Sequence, residues 1–383
     1  MNKIPGLEKA IRANLVGMDG MVLIDSHGKQ VGKMTATGNA DQQGLVSEFE
    51  ILRGKLAEVL CDLTKEHPKV RYVFGEQISA MAYHEGPHGP ITVSFLNGRP
   101  AETFDLVVAA DGATSRTRAI GLNCGVRDHL RTLNAWAAYF SFKPDLLNHS
   151  PFGHGYSTTP GRMVALASAS EQGPGWSRGT LVKVYPKGMQ NATMPFLQAH
   201  RQGTETLKAF VHAEYEGAGW YTKEVLSGMM ESEDFYASEM VQVHVPELHK
   251  GRFVLVGDAG YAAGPTGGGT SLAMAGAYIL AGEIASACNR SERDTASEAI
   301  LDGLQGYEER MKPIIAEMQA IPPGIPGIMA PQTEWGVWLR NLIFGLVCAA
   351  LKLGPYFNWV QGLWSSAFRS SDEFGLPEYE WEE

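Results

Sequence analysis

Cysteine is scarce in this 383-residue chain: only Cys61, Cys124, Cys288 and Cys348 occur, and no two form C-x-x-C. That spacing offers neither a zinc site nor a disulfide framework, and it leaves a reducing, cytoplasmic setting as the default. Positive charge is also short. The 32 Lys and Arg against 42 Asp and Glu give a formal net charge of −10, which excludes a broad nucleic-acid surface. The 11 histidines show no H-E-x-x-H and no clustered ligand spacing, so no metal is expected. Gly269-Thr270-Ser271-Leu272-Ala273 lacks the second glycine of a nucleophile elbow, which argues against a serine hydrolase. No charged-then-apolar leader opens the chain. The one membrane-like stretch, Leu342 to Leu351, is too short for a bilayer, which needs roughly 20 residues. Arg340 and Lys352 bracket it, and Trp335, Trp338, Trp359 and Trp364 flank it. It predicts a buried helix closing the fold, with a helix resting on a membrane surface or a partner as the alternative.

What is present suits an ordinary globular protein, with 44% hydrophobic and 19% charged residues and enough length for two domains. Met1 to about Lys33 predicts a short helix and then a strand around Met21 to Ile24. Asp41 to Leu63 reads as a helix, because Phe49, Leu52, Leu56, Val59, Leu60 and Leu63 recur at helical spacing. Val70 to Phe74 and Ile91 to Phe95 read as strands, and Phe104 to Ala110 as a strand buried on both faces. From Asn134 to Val245 short β-like runs dominate, broken by one amphipathic helix around Thr204 to Glu216. Phe253 to Val256 returns to the buried-strand texture, followed by an Ala- and Gly-rich helix from Thr270 to Ala287. The expected division is 1–130 and 246–330 as one α/β nucleotide-binding domain, 131–245 as an inserted, mainly β substrate domain, and 331–383 as a C-terminal helical extension with an acidic tail.

Two segments carry chemistry. In Phe253-Val254-Leu255-Val256-Gly257-Asp258 a buried strand delivers a carboxylate at its C-terminal tip, where open α/β sheets bind ligands. The loop that follows, Pro265-Thr266-Gly267-Gly268-Gly269-Thr270, lets backbone approach a ligand closely and leads into a helix N-terminus. The second segment, Leu106 to Ala110 followed by Asp111-Gly112-Ala113-Thr114-Ser115-Arg116-Thr117-Arg118, has the same strand-to-carboxylate form. On residues alone each also admits a plain reading: a tight turn in the first, a capping Asp111 with solvated arginines in the second.

Together these segments resemble the two internal motifs of the para-hydroxybenzoate hydroxylase family of FAD-dependent monooxygenases. Asp111-Gly112 with Ser115 and Arg118 matches the family's aspartate-glycine motif, associated with FAD and NADPH. Gly257-Asp258 matches its glycine-aspartate motif, whose aspartate holds the FAD ribitol. Ile51 to Leu60 resembles the family helix that offers one arginine, here Arg53, to the cofactor. Trp220, Asp234-Phe235-Tyr236, Gln242 and Tyr307-Glu308 with Pro313 also match in placement. The stretch from Thr270 to Glu283 is most similar to the branch of tetracycline-inactivating and natural-product monooxygenases. The resemblance spans about Ile4 to Pro313.

It implies a Rossmann-like FAD-binding fold with an inserted sheet domain, FAD as cofactor, NAD(P)H as co-substrate, and O₂ and a small molecule as substrates. Arg53, Asp111, Gly112, Gly257, Asp258, Pro265, Gly267, Gly268, Gly269 and Thr270 are the implied cofactor-binding residues. Two departures stand out. Gly260-Tyr261 replaces a frequent Ala-His, and no G-x-G-x-x-G occurs, from which the N-terminal strand and phosphate loop are expected to be missing. The expected reaction inserts one oxygen atom into an apolar aromatic or polycyclic molecule in secondary metabolism. A catalytically impaired remnant and a flavin oxidoreductase without oxygen insertion are the alternatives. No catalytic base is assigned; His154, Tyr156, Arg162, Tyr185 and Tyr236 are candidates.

Overall fold

Strand-forming residues of the middle of the chain, together with an early hairpin, assemble one large sheet in the computed structural model. It describes residues 3–35, 50–84, 86, 88–265, 267–290, 296–321, 324, 327–352 and 375–381. Two packed units result. The described residues of 1–72, 134–240 and 322–370 form a sheet unit, and those of 73–133, 241–321 and 371–383 form a second unit.

The large sheet contains β1 (Gly20–Ile24), β2 (Gln30–Thr35), β7 (Leu130–Phe142), β8 (Phe152–Thr158), β9 (Arg162–Ser168), β10 (Ser177–Val184) and β11 (Tyr236–Val243). Their order is β11-β7-β10-β9-β8-β1-β2. β1 runs parallel to β8, while β8, β9, β10 and β7 pair antiparallel in turn. Side chains alternate across each strand. Trp136, Phe140, Phe142, Leu166, Leu181 and Val22 therefore share one face, packed beneath α4 (Met194–Arg201), α5 (Thr204–Tyr215) and α6 (Thr222–Glu231). Trp136 stacks on Phe196 at 5.2 Å with an 11° interplanar angle. Each such large side chain contributes about 1.5–3 kcal/mol by leaving water. The opposite face is lined by smaller residues, Ala135, Ala137, Val182 and Val184. The unit also carries α1 (Leu7–Arg12), α2 (Arg53–Asp62) and α10 (Glu334–Lys352).

In the second unit, β3 (Ile78–Tyr83), β4 (Ile91–Phe95) and β5 (Glu102–Phe104) make an antiparallel sheet. A three-stranded sheet, in the order β12-β13-β6, joins β6 (Val107–Ala109), β12 (His249–Lys250) and β13 (Phe253–Leu255). Around them lie α3 (Arg116–Leu122), α7 (Asp258–Tyr261), α8 (Gly269–Arg290) and α9 (Ala296–Met318). α8 and α9 meet so closely that a Cβ on Gly303 would lie 2.6 Å from Ile284 Cα. By length and composition α8 could cross a membrane, but half of its apolar window is buried in the protein. It is a core helix here.

Several expectations need correction. Residues before 73 pack with the sheet unit rather than with the nucleotide part, because β1 finds its parallel partner in β8. The units divide after Leu133 and Met240 rather than after 130 and 245. α10 does not stand apart as an extension, since it packs on β2, where a Cβ on Gly32 would lie 2.8 Å from the Phe344 ring. That helix is not buried all round: Trp335, Trp338 and Leu346 are exposed. Residues 70–74 form no strand, and Phe74 is 82% exposed. Val108 is 43% exposed between the buried Val107 and Ala109, so β6 is buried on one face only. The helix expected from Asp41 begins at Arg53; residues 41–49, like Thr266, Trp359 and Trp364, lie outside the described residues.

Candidate functional site

The two carboxylate-ended strands are neighbours. β6 and β13 run parallel with Ala109 opposite Leu255, and Val256 N–H donates to Ala109 O at 2.9 Å. Asp111 and Asp258 thus leave the same sheet at its C-terminal edge, 147 positions apart in the chain (258 − 111). Residues 252–257 are buried while Asp258 is exposed. The turn that lifts it out is Gly257, at φ 62 and ψ −146, a region essentially closed to residues with a side chain.

The glycine loop follows on the same unit. Pro265, Gly268 and Gly269 are half-buried, and Gly267 and Thr270 are exposed. Gly267 sits at φ 81 with open space where a Cβ would be, whereas a Cβ on Gly268 would lie 2.0 Å from Met318 Cε. Gly269 starts the 22-residue α8, 4.0 Å (from its would-be Cβ) from Asp258 Oδ1. The first N–H groups of a helix lack intrahelical partners and favour an anion or a polarised oxygen.

Buried amides hold the loop from behind. Gln242 Nε2 donates to Ala263 O at 3.0 Å and to Gln319 O at 2.8 Å. Gln319 Nε2 returns to Val243 O at 2.7 Å and Ala262 O at 3.2 Å. Beneath α7, Tyr307 donates to Leu255 O at 2.8 Å and contacts the Tyr261 hydroxyl at 3.1 Å. Burial pushes both phenols above their ordinary pKa, so they stay neutral hydrogen-bonding groups. Gly276 makes room for this pair, since a Cβ there would lie 1.9 Å from Tyr261 Oη. Tyr261, the departure from Ala-His noted in the sequence, is therefore a core residue supporting the strand tip.

Asp111 behaves differently from Asp258. Its carboxylate accepts from the Ser115 hydroxyl and from Thr117 N–H at 3.1 Å, and Ser115 in turn caps α3 by accepting from Arg118 N–H at 2.8 Å. The capping reading of Asp111 thus describes its present bonds. Gly112, at φ 86, has open space beside it. Arg118 is fully buried. It donates to Ala259 O at 2.7 Å, Ala113 O at 2.9 Å and Val126 O at 2.8 Å. It ties the two motifs together from inside.

Arg53 belongs to the sheet unit, exposed at the first turn of α2. It lies close enough to Tyr139 to draw that phenol down, against the larger upward push of burial. Tyr139 stacks on Tyr236 with centroids 6.4 Å apart, on the sheet face opposite α4 to α6. The sequence named Tyr236 and missed Tyr139; its alternation with Trp136 and Phe140 along β7 was the available signal. Other base candidates are committed elsewhere. Tyr156 donates to Ala218 O at 3.0 Å, Arg162 to Thr159 O at 3.0 Å, and the Tyr185 hydroxyl accepts from Trp136 Nε1 at 3.3 Å. Among the described residues no three His, Cys, Asp or Glu side chains are grouped to hold a metal ion.

No family model matches the chain. The FAD-dependent monooxygenase asL4 of Sarocladium schorii is 28% identical over 369 residues, 93% of this chain and 82% of that one. Monooxygenase CTB7 of Cercospora beticola is 28% identical over 385 residues, 98% of this chain and 85% of that one. The crystal structure of the tetracycline destructase Tet(51) shares the fold, with a TM-score of 0.70 at 23% identity over 98% of this chain and 85% of that one.

Proposed function

This chain belongs to the FAD-dependent monooxygenases of the para-hydroxybenzoate hydroxylase type, and from that premise we propose that it inserts one oxygen atom of O₂ into an apolar aromatic or polycyclic small molecule, using NAD(P)H, in secondary metabolism. The observation that carries the cofactor part is the shared edge of β6 and β13, where Asp111, Asp258 and the glycine loop come from one unit. Ligands of open α/β sheets bind outside the carboxyl ends of the strands.

The residues present fit the flavin and ribitol part of FAD. Asp258 is an exposed carboxylate at a buried strand tip, suited to accept ribitol hydroxyls. Gly267 leaves no Cβ in the way of a planar ring, and the start of α8 supplies N–H donors beside it. Pro265, Gly268, Gly269 and Thr270 complete that loop, with Gly257 lifting Asp258 into place and Gly112 opening the neighbouring turn. The family resemblance implies Arg53 as a further cofactor residue, a charged fork for phosphate or carbonyl oxygens.

Bound FAD supplies electron transfer and oxygen activation. The chain's own residues bind, orient and exclude water. The buried Gln242 and half-buried Gln319 amides tie down residues 262 and 263 ahead of the loop. On the sheet unit the stacked Tyr139 and Tyr236, both exposed, offer an aromatic surface that favours a ring-bearing substrate.

Purified protein tests this directly. The expected result is a flavin absorption spectrum, FAD released on denaturation, and NAD(P)H-dependent O₂ uptake that rises with an aromatic or polycyclic substrate. A colourless protein that binds no added FAD would overturn the proposal.

A further inference from the structure

A recess of about 680 Å³ opens on the helix-covered side of the sheet unit and plays no part in the reading above. It lies between the β1–β2 turn, the segment after β7 and the start of α6, with Ile24, Ser26, Leu147, His154, Trp220 and Glu224 among its walls. Its position follows from register. His154 pairs with Val22 across β8 and β1, and Val22 and Tyr156 belong to the core beneath the helices, so His154 points to that side. The size suits a small organic molecule, whose pockets run roughly 300–1,000 Å³.

Two walls are held in unusual backbone conformations. Trp220 adopts φ 48, and Asn148 and His149 adopt φ 53 and 60 in succession. Positive φ is a genuine outlier for a bulky residue and persists only where the surroundings enforce it. The enforcing bonds are visible: the Tyr156 hydroxyl donates to Ala218 O at 3.0 Å, beside Trp220. Asp145 accepts from Leu147 N–H at 3.0 Å and His149 N–H at 2.7 Å on the other wall. The result presents the Trp220 indole, 5.2 Å from the Tyr221 ring, to the recess.

The lining defines a ligand class. No Lys or Arg contributes, and Glu224 sits at the rim of a protein with a net charge of −10, so carboxylates and phosphates are disfavoured. Indole, phenol and aliphatic walls favour a planar ring. Burial lowers the His154 pKa, which leaves a neutral imidazole able to accept. The Glu224 carboxylate only accepts, so a ligand hydroxyl can donate to it, while the Trp220 indole, Asn148 and His27 bring donors of their own. We propose that this recess binds an uncharged, planar aromatic molecule bearing hydroxyl groups, with its ring against Trp220 and its hydroxyls donating to His154 and Glu224. The site does not depend on the flavin reading, because its walls come wholly from the sheet unit.

Calorimetric titration of the full chain, carrying its flavin, with 2-naphthol and 2-naphthoate at neutral pH tests the proposal. 2-Naphthol should bind, and its carboxylate counterpart at least about tenfold more weakly. Trp220→Gly suits the positive φ and removes the aromatic wall; Ser26→Trp, at an exposed turn, fills the mouth of the recess. Each should weaken 2-naphthol at least about tenfold while the melting temperature and circular dichroism stay close to the parent. Absence of 2-naphthol binding, equal affinity for the two probes, or affinity unchanged in both variants would overturn it.

Discussion

Removing the Arg118 guanidinium should loosen the link between the two carboxylate-bearing strand tips. This side chain is fully buried and donates to three backbone carbonyls, of Ala113, Val126 and Ala259. The first two come from either side of α3, the third from α7. In Arg118→Leu the Ala259 carbonyl is left buried without its donor, at a cost of about 1–3 kcal/mol, while the two partly buried carbonyls can recruit water and cost less, roughly 0.5–1.5 kcal/mol each. The total, about 2–6 kcal/mol, is a large share of a typical stability of about 5–15 kcal/mol. Arg118→Lys keeps a charge but cannot span three acceptors with one ammonium, so it should lose about half as much. Because two units can unfold separately, hydrogen exchange read by mass spectrometry in urea is the appropriate assay. Peptides covering 105–125 and 253–262 should lose protection first and at lower urea, with those of the large sheet following. A midpoint shift worth less than about 0.5 kcal/mol, or loss beginning in the sheet unit, would refute the reasoning.

Four further outcomes are expected. Asp258→Asn should weaken FAD binding about ten- to hundredfold, through loss of charge-assisted bonds to ribitol hydroxyls, while the melting temperature of the FAD-free protein stays put; titration of FAD checks it. Tyr307→Phe should lower stability by roughly 1–3 kcal/mol, since Leu255 O loses its buried donor, as read from urea midpoints. Gln319→Leu should open the loop behind the glycines by removing donors to Val243 O and Ala262 O, seen as faster proteolysis around residues 262–269 with the large sheet intact. Burial acts to raise the Glu308 carboxyl, but bonds from Lys312 and from Leu248 N–H outweigh it and hold it below its ordinary value. Its contribution is therefore present above the unfolded carboxylate pKa of about 4.3 and disappears as pH falls through the lower folded value. Glu308→Gln should flatten the acid limb of stability, and an acid limb identical to the parent's would count against that carboxylate.

The parts of this fold legible in the sequence are those governed by local pattern. Local pattern placed β1 and β4, and the strand–carboxylate–glycine order located both Asp111 and Asp258 at strand ends. What escaped depends on contacts far along the chain. Residues 1–72 read as part of the nucleotide domain because nothing local says that β1 pairs with β8, some 130 residues later. Val108 looked doubly buried because an apolar run cannot report whether both faces of its strand are covered. Arg118 reads in the sequence either as part of the aspartate-glycine motif or as a solvated arginine, and only the tertiary structure shows its fork spent on three carbonyls. Likewise Tyr139 is one more residue of β7 until stacking on Tyr236 marks the face it shares.

The chemistry of the site separates cleanly into exposed groups and the buried groups that aim them. Asp258, Gly267 and Thr270 are exposed, and a ligand can reach them. Tyr261, Tyr307, Gln242 and Arg118 sit behind, every one of them buried. A glycine loop left to itself would sample many conformations, and ordering it on binding would cost roughly 1–2 kcal/mol per residue. Here the Gln242–Gln319 exchange fixes residues 262 and 263, and Gly268 packs against Met318. Part of that ordering is therefore met during folding, at residues 262 and 263, where the amides bond to the backbone. Glycine supplies access and the buried amides supply rigidity, so substitutions behind the loop should impair ligand binding as surely as substitutions within it.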